Sequence, residues 1–133
     1  MPYLFELEPA RSFLRCIVSG NITDKQLFDC YRAAVRHVRR QDPALAILDL
    51  TNIASVEVSP ATVQALARSQ PTLPASRPRF ILAPTDHLYG MARMYQILAE
   101  PSRPRLQVVR SAAELYATLG PDLHFEPMGE NPI

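Results

Sequence analysis

The chain has 133 residues, of which 47% are hydrophobic and 20% are charged, and its formal net charge is +1. These values predict one soluble globular domain and exclude a disordered segment, and the near-neutral charge gives no reason to expect nucleic-acid binding. The longest apolar run, residues 44–48, is far shorter than the ~20 residues that a membrane span needs. Two cysteines and an N-terminus without a signal-like apolar stretch predict reduced thiols in a cytoplasmic protein.

The first third of the chain has the pattern of a β-hairpin followed by a helix. Residues 3–8 alternate between apolar and polar side chains, and residues 12–19 are rich in apolar ones, so the two segments are expected to pair as strands. The second strand is expected to end at Gly20. A capping-box spacing at Thr23 then predicts a helix that runs to about Gln41.

Strands and helices alternate through the rest of the chain. Residues 44–48 are apolar at consecutive positions, as in a strand that is covered on both faces, and Ser59 with Pro60 predicts a helix start after a loop. The later elements are expected as strands over residues 80–83 and 106–109 and helices over residues 86–100 and 111–120. The order ββαβαβαβα predicts an α/β domain with a mixed, mostly parallel five-stranded sheet flanked by four helices. This single domain spans residues 1–120, and residues 121–133 are expected to form an irregular C-terminal tail.

A local pattern resembles a known family. Residues 47–60 form an apolar strand ending in Asp-Leu, followed by an acidic residue and a serine before a helix. This pattern is similar to that of STAS domains, named for sulfate transporters and anti-sigma-factor antagonists, and of small bacterial relatives often grouped with lipid-binding CRAL-TRIO domains. In that register Glu57 takes the place of the family's second aspartate, and Ser59 that of the phosphorylated serine. The positions that differ from the family's glycine, serine and glycine are Asn52, Val58 and Pro60. The resemblance covers residues 3–120 and implies a STAS-like fold with a role in signalling.

Polar residues are expected to gather at the carboxyl end of the sheet, where ligands of open parallel sheets bind. Asp49, Glu57 and Ser59 form the candidate phosphoacceptor or partner site there, although Ser59 also fits a plain helix cap. A hydrolase triad of Ser59 with His87 is not expected, because the nucleophile-elbow motif is absent and Pro60 follows the serine. The histidines and cysteines lack metal-ligand spacing. We therefore expect no enzyme activity, no cofactor and no metal.

The helix over residues 86–100 has an unusually wide apolar arc. Its members are Leu88, Met91, Met94, Tyr95 and Leu98. One interpretation is that the arc lines a pocket for an apolar small molecule or a lipid, since methionines adapt to varied ligands. The other is that it forms the interface of a homodimer.

Arginine dominates the basic residues, because all but Lys25 of the 14 basic residues are arginines. Two Ser-Arg-Pro-Arg segments precede strands and should therefore lie at the amino end of the sheet. They contain Arg77, Arg79, Arg103 and Arg105, which we interpret as a patch for an anion or an acidic partner. Helix dipoles alone also favour bases at this end.

Two functions remain open from the sequence. The first is a non-enzymatic regulatory or protein-interaction module resembling STAS domains, with an unidentified protein partner. The second is a small-molecule or lipid-binding domain of CRAL-TRIO-like type. A compact core favours the first, whereas a cavity near Met91 favours the second.

Overall fold

The computed structural model describes residues 3–128, which form one mixed sheet and four helices. The elements in chain order are β1 (Tyr3–Glu8), β2 (Phe13–Thr23), α1 (Asp24–Gln41), β3 (Leu45–Glu57), α2 (Pro60–Arg68), β4 (Arg79–Leu82), α3 (Asp86–Ala99), β5 (Leu106–Val109), α4 (Ala112–Leu119) and β6 (Glu126–Pro127). The predicted α/β class is confirmed. No helix within residues 3–128 combines the length and the apolar character that crossing a membrane requires.

The strand order explains where the helices lie. The sheet runs β5-β4-β3-β2-β1-β6, with β2 to β5 parallel and β1 antiparallel to both of its neighbours. The parallel strands are adjacent in chain order, so right-handed crossovers place α1, α2 and α3 on the same face of the sheet. The helix α4 packs on the opposite face, where Leu115 meets Phe80 and Leu82. We call these the three-helix face and the α4 face.

The sheet has six strands instead of the predicted five. Glu126 and Pro127 pair with β1, and the Met128 N–H donates to the Phe5 carbonyl over 3.1 Å. Phe125 packs against the apolar cluster of the α4 face. Part of the predicted irregular tail is thus an edge strand. The sequence pattern does not predict it, because a strand of two residues is too short to show an alternating periodicity. Residues 129–133 of that tail lie outside the described residues.

The strands β2 and β3 are longer than the sequence predicts. The expected end at Gly20 is wrong, because Gly20 adopts a φ of +78° within the strand, beside register shifts. Pairing continues from Ser19↔Asn52 to Thr23↔Glu57. The expected loop after residue 48 is therefore also strand. Since β4 ends opposite Asp49, the last part of β3 has β2 as its one strand neighbour in the described sheet.

The helix caps follow the sequence closely. Thr23 forms the predicted capping box with Gln26, and the side chains of Ser59, Thr85 and Ser111 each accept a backbone N–H of the first helical turn. Each such cap satisfies one of the amide groups that a helix start leaves without a partner.

Candidate functional site: a cavity under the three helices

A cavity of about 230 Å³ lies between the three-helix face of the sheet and the helices α1, α2 and α3. Its wall is mainly apolar and includes Leu14, Val18, Leu27, Ala34, Val38, Ala46, Leu48, Leu50, Ile53, Val56, Val63, Leu66, Ile81, Leu88, Met91 and Ala92. Protein interiors are normally close-packed, and an apolar cavity of roughly 150 Å³ already accepts a benzene molecule. The space is therefore large enough for a small organic ligand.

The sheet side chains beneath the helices are incompletely covered. Ala46, Leu48 and Leu50 point toward the three-helix face, because they alternate with Leu45, Ile47 and Asp49 along β3. All three are half-buried although they lie under a helix layer. Since they also line the cavity, the open space accounts for their exposure.

The predicted apolar arc of α3 divides into two parts. Leu88, Met91 and Tyr95 line the cavity, as the pocket interpretation expects. Met94 and Leu98 are not part of its wall; Met94 is half-buried, and Leu98 is 45% exposed. One helix therefore supplies both a cavity wall and an exposed apolar strip next to it.

One end of the cavity is polar. Arg79, Arg103 and Tyr95 line it, with the Arg103 guanidinium 5.5 Å from the centre of the Tyr95 ring. Tyr31 and Thr72 also line the cavity, and the Tyr31 hydroxyl donates to the Gln70 carbonyl. Burial raises the pKa of Tyr95, and the two arginines partly oppose that rise. We call Tyr31, Thr72, Arg79, Tyr95 and Arg103 the polar end.

The four arginines of the predicted anion patch do not form one surface. Arg79 and Arg103 are buried in the cavity wall, whereas Arg105 is exposed and Arg77 is half-buried. Arg77 pairs with Asp42 over 2.5 Å, and Arg105 donates to the Ser76 carbonyl. The Ser-Arg-Pro-Arg repeat thus places one arginine of each pair inside the domain.

The two cysteines belong to the cavity wall as well. The Sγ atoms of Cys16 and Cys30 lie 3.3 Å apart, and both thiols are free and buried. The hydrogen bond to Cys30, together with burial, raises the pKa of the Cys16 thiol well above its usual value. A thiol with a raised pKa is a poor nucleophile, because the thiolate is the reactive form.

The structure does not bring the three residues of the predicted phosphoacceptor site together. Asp49 and Glu57 are eight residues apart on one continuous strand, which corresponds to roughly 26 Å. Asp49 accepts the Thr51 N–H, and Glu57 accepts the Asn21 side-chain amide. The separation arises because the expected loop between them is part of β3.

Ser59 is occupied in a network at the start of α2. Its backbone N–H and hydroxyl donate to the carboxylate of Asp24, over 2.8 and 3.2 Å, and its hydroxyl oxygen accepts the Thr62 N–H. The hydrogen bond from the Ser59 N–H is the main reason that the pKa of Asp24 is lowered. The network ties the first residue of α1 to the cap of α2.

Comparison with known proteins gives no match to a family model, a curated protein or a solved structure. The similarity to STAS domains stays a prediction from the sequence. Within residues 3–128, no group of three or more His, Cys, Asp or Glu side chains is arranged to hold a metal ion.

The apolar arc of α3 predicts Leu88, Met91 and Tyr95 as cavity residues, whereas no local pattern marks Tyr31 or the two cysteines as part of the same wall. The one available signal for Arg79 was its place at the start of a strand that is apolar at every following position.

Proposed function

We propose that this domain binds a small apolar molecule in the cavity between its sheet and the helices α1, α2 and α3. The observation that carries the proposal is the cavity of about 230 Å³ in a wall of apolar side chains. Side chains that line an unfilled space lack the packing contacts of a close-packed core, so a hydrocarbon ligand in that space gains apolar burial and dispersion contacts.

The chemistry of the wall supports binding rather than catalysis. The cavity thiol of Cys16 has a raised pKa, and its closest polar partner is the second thiol, Cys30, rather than a base. The aliphatic majority of the wall suits a ligand with a hydrocarbon body, and Met91 adapts to its shape.

The test compares two leucine substitutions that add the same atoms at different places. Ala34 lines the cavity from α1, whereas Ala65 is exposed on α2 and is not part of the wall. The ligand probe is 1-octanol, followed by isothermal titration calorimetry. We expect the wild type and Ala65→Leu to bind it equally, and Ala34→Leu to bind it at least about tenfold more weakly, since part of the space is filled.

Failure of the wild type to bind 1-octanol and its octyl-chain analogues with other head groups would refute the proposal. Unchanged affinity in Ala34→Leu would place the binding elsewhere and refute the assignment to this cavity. Native mass spectrometry of the protein as purified adds a second readout, because a co-purified small molecule supports the proposal directly.

A second candidate function is the regulatory or protein-interaction role that the STAS resemblance predicts. The observation that favours it is the apolar strip on α3, where Ile97 is 65% and Leu98 is 45% exposed. A homodimer through this strip predicts that the wild type sediments as a dimer and that Ile97→Glu sediments as a folded monomer. Monomeric sedimentation of the wild type at high micromolar concentration argues against that homodimer.

A further inference from the structure

We propose that the ligand of the cavity is a small amphipathic acid, whose carboxylate binds Arg79 and whose apolar body fills the space under the three helices. This inference rests on the proposed function and names the chemical class of the ligand. Its basis is the asymmetry of the wall, which is aliphatic along the sheet and cationic at the polar end.

The polar end holds positive charge without a compensating acid. Arg79 is 7% exposed and Arg103 is 4% exposed, and within the described part of the chain neither forms an ion pair with a carboxylate. Charged groups in protein interiors are normally paired, because an isolated buried charge is costly. Burial, followed by repulsion from Arg103, lowers the pKa of Arg79. An anion at this end would offset both the cost of burying the Arg79 charge and its repulsion by Arg103.

The hydrogen bonds of the two arginines distinguish their roles. Arg103 donates from Nη1 to the Ala67 carbonyl and from Nη2 to the Ser69 carbonyl, over 3.1 Å in each case. These contacts satisfy carbonyls at the carboxyl end of α2, so Arg103 is committed to the helix. It contributes mainly charge to the polar end.

Arg79 uses only one of its two terminal nitrogens in hydrogen bonds. Its Nη2 donates to the Leu73 and Pro74 carbonyls over 2.6 and 3.3 Å, whereas its Nη1 is buried without a hydrogen-bond partner. A buried N–H group without an acceptor is unfavourable. Neighbouring atoms cover Nη1, so the proposed contact requires the guanidinium to rotate toward the cavity, away from the Leu73 and Pro74 carbonyls. Arg79 is therefore the residue that we assign to the ligand head group.

The number of available donors favours a carboxylate over a phosphate. A phosphate monoester carries up to two charges and three acceptor oxygens, which need several donors. After the proposed rotation, the polar end would offer the Nη1 of Arg79, with the hydroxyls of Tyr95 and Thr72 in the same wall. A cavity of about 230 Å³ is smaller than the ~300 Å³ of typical drug-sized sites, so the acid is a short or medium-chain one.

The experiment uses four probes with the same octyl chain: octanoate, 1-octanol, octylammonium and octyl phosphate. Their affinities for the wild type, Arg79→Gln and Arg105→Gln are measured by isothermal titration calorimetry. Arg105 is the matched control because it is an arginine at the same end of the sheet, but exposed and outside the cavity wall. Both substitutions remove one positive charge.

We expect the wild type to bind octanoate about tenfold or more tightly than 1-octanol and octylammonium, since a hydrogen bond to a charged group is worth at least that factor. Arg79→Gln should lose this preference by weakening octanoate and not 1-octanol, and Arg105→Gln should keep it. If Arg79→Gln does not fold, the four affinities of the wild type still decide the question.

The possible failures are distinguishable. Equal or tighter binding of 1-octanol than of octanoate by the wild type overturns the acid while leaving the cavity function intact. Tighter binding of octyl phosphate than of octanoate overturns the carboxylate assignment. If none of the four probes binds, the proposed function itself fails.

Discussion

Two neighbouring alanines of α1 offer a direct test of the cavity. Ala34 lines the open space, whereas Ala33 is completely buried and is not part of the cavity wall. Substitution by leucine adds the same three carbons at both positions, within the same helix. The local helix propensity therefore changes equally, by only a few tenths of a kcal/mol.

The expected effects have opposite signs. At Ala34 the added carbons enter the cavity and gain ~0.8 kcal/mol each, from which ~0.5–1 kcal/mol of lost leucine rotamer freedom is subtracted. Ala34→Leu should therefore raise the free energy of unfolding by about 1–2 kcal/mol. At Ala33 the same carbons meet packed atoms, and overpacking should lower it by ~1–3 kcal/mol.

Urea denaturation followed by circular dichroism measures both changes. With a slope of ~1–3 kcal/mol per molar urea, the two midpoints should differ by about 1 M or more. Equal destabilisation by the two substitutions would show that the space beside Ala34 is filled by the protein itself, and would refute the cavity.

Three further predictions follow from single contacts. Ser59→Asp should destabilise the fold, because its carboxylate would lie beside that of Asp24. The control is Ser59→Ala, which should lose only the ~0.5–2 kcal/mol that the helix cap contributes. Thermal melts of the two variants at neutral pH test this difference. The lowered pKa of Asp24 means that its contribution to stability is present above the ordinary aspartate pKa of ~3.9 and is lost as the pH falls through the lower folded value. The free energy of unfolding of Asp24→Asn, measured by urea denaturation at a series of pH values below about 4, should accordingly fall less steeply as the pH drops than that of the wild type. Phe125→Ala should lower the free energy of unfolding by about 1–2 kcal/mol in urea titrations, because Phe125 packs on the α4 face and against Arg15; no measurable loss would mean that the tail is dispensable.

The elements that the sequence predicts well are those with local signals. Thr23 and Ser59 mark helix starts because a capping side chain acts within three residues of its own position. The consecutive apolar residues of β3 and β4 likewise reflect burial on both faces, which each segment shows by itself.

The features that the sequence did not predict depend on distant partners. Residues 52–57 are polar enough to resemble a loop, and they form strand because β2 lies beside them. A void and a packed core give the same apolar pattern, so the cavity beside Ala34 has no signature of its own. Burial of Arg79 is equally hidden, since arginine is normally exposed and its carbonyl acceptors lie in an irregular segment.

The one-sided arrangement of α1, α2 and α3 determines which parts of the molecule can give way to a ligand. Hydrogen bonds fix the distance between neighbouring strands at ~4.8 Å, whereas helices that rest on side chains can shift by small sliding movements. The starts of α1 and α2 are joined through Asp24 and Ser59, and Arg103 holds the end of α2. When the cavity expands, α3 is therefore the helix that moves most. The rate of amide hydrogen exchange in α3 should change on ligand binding far more than the rate in the central strands.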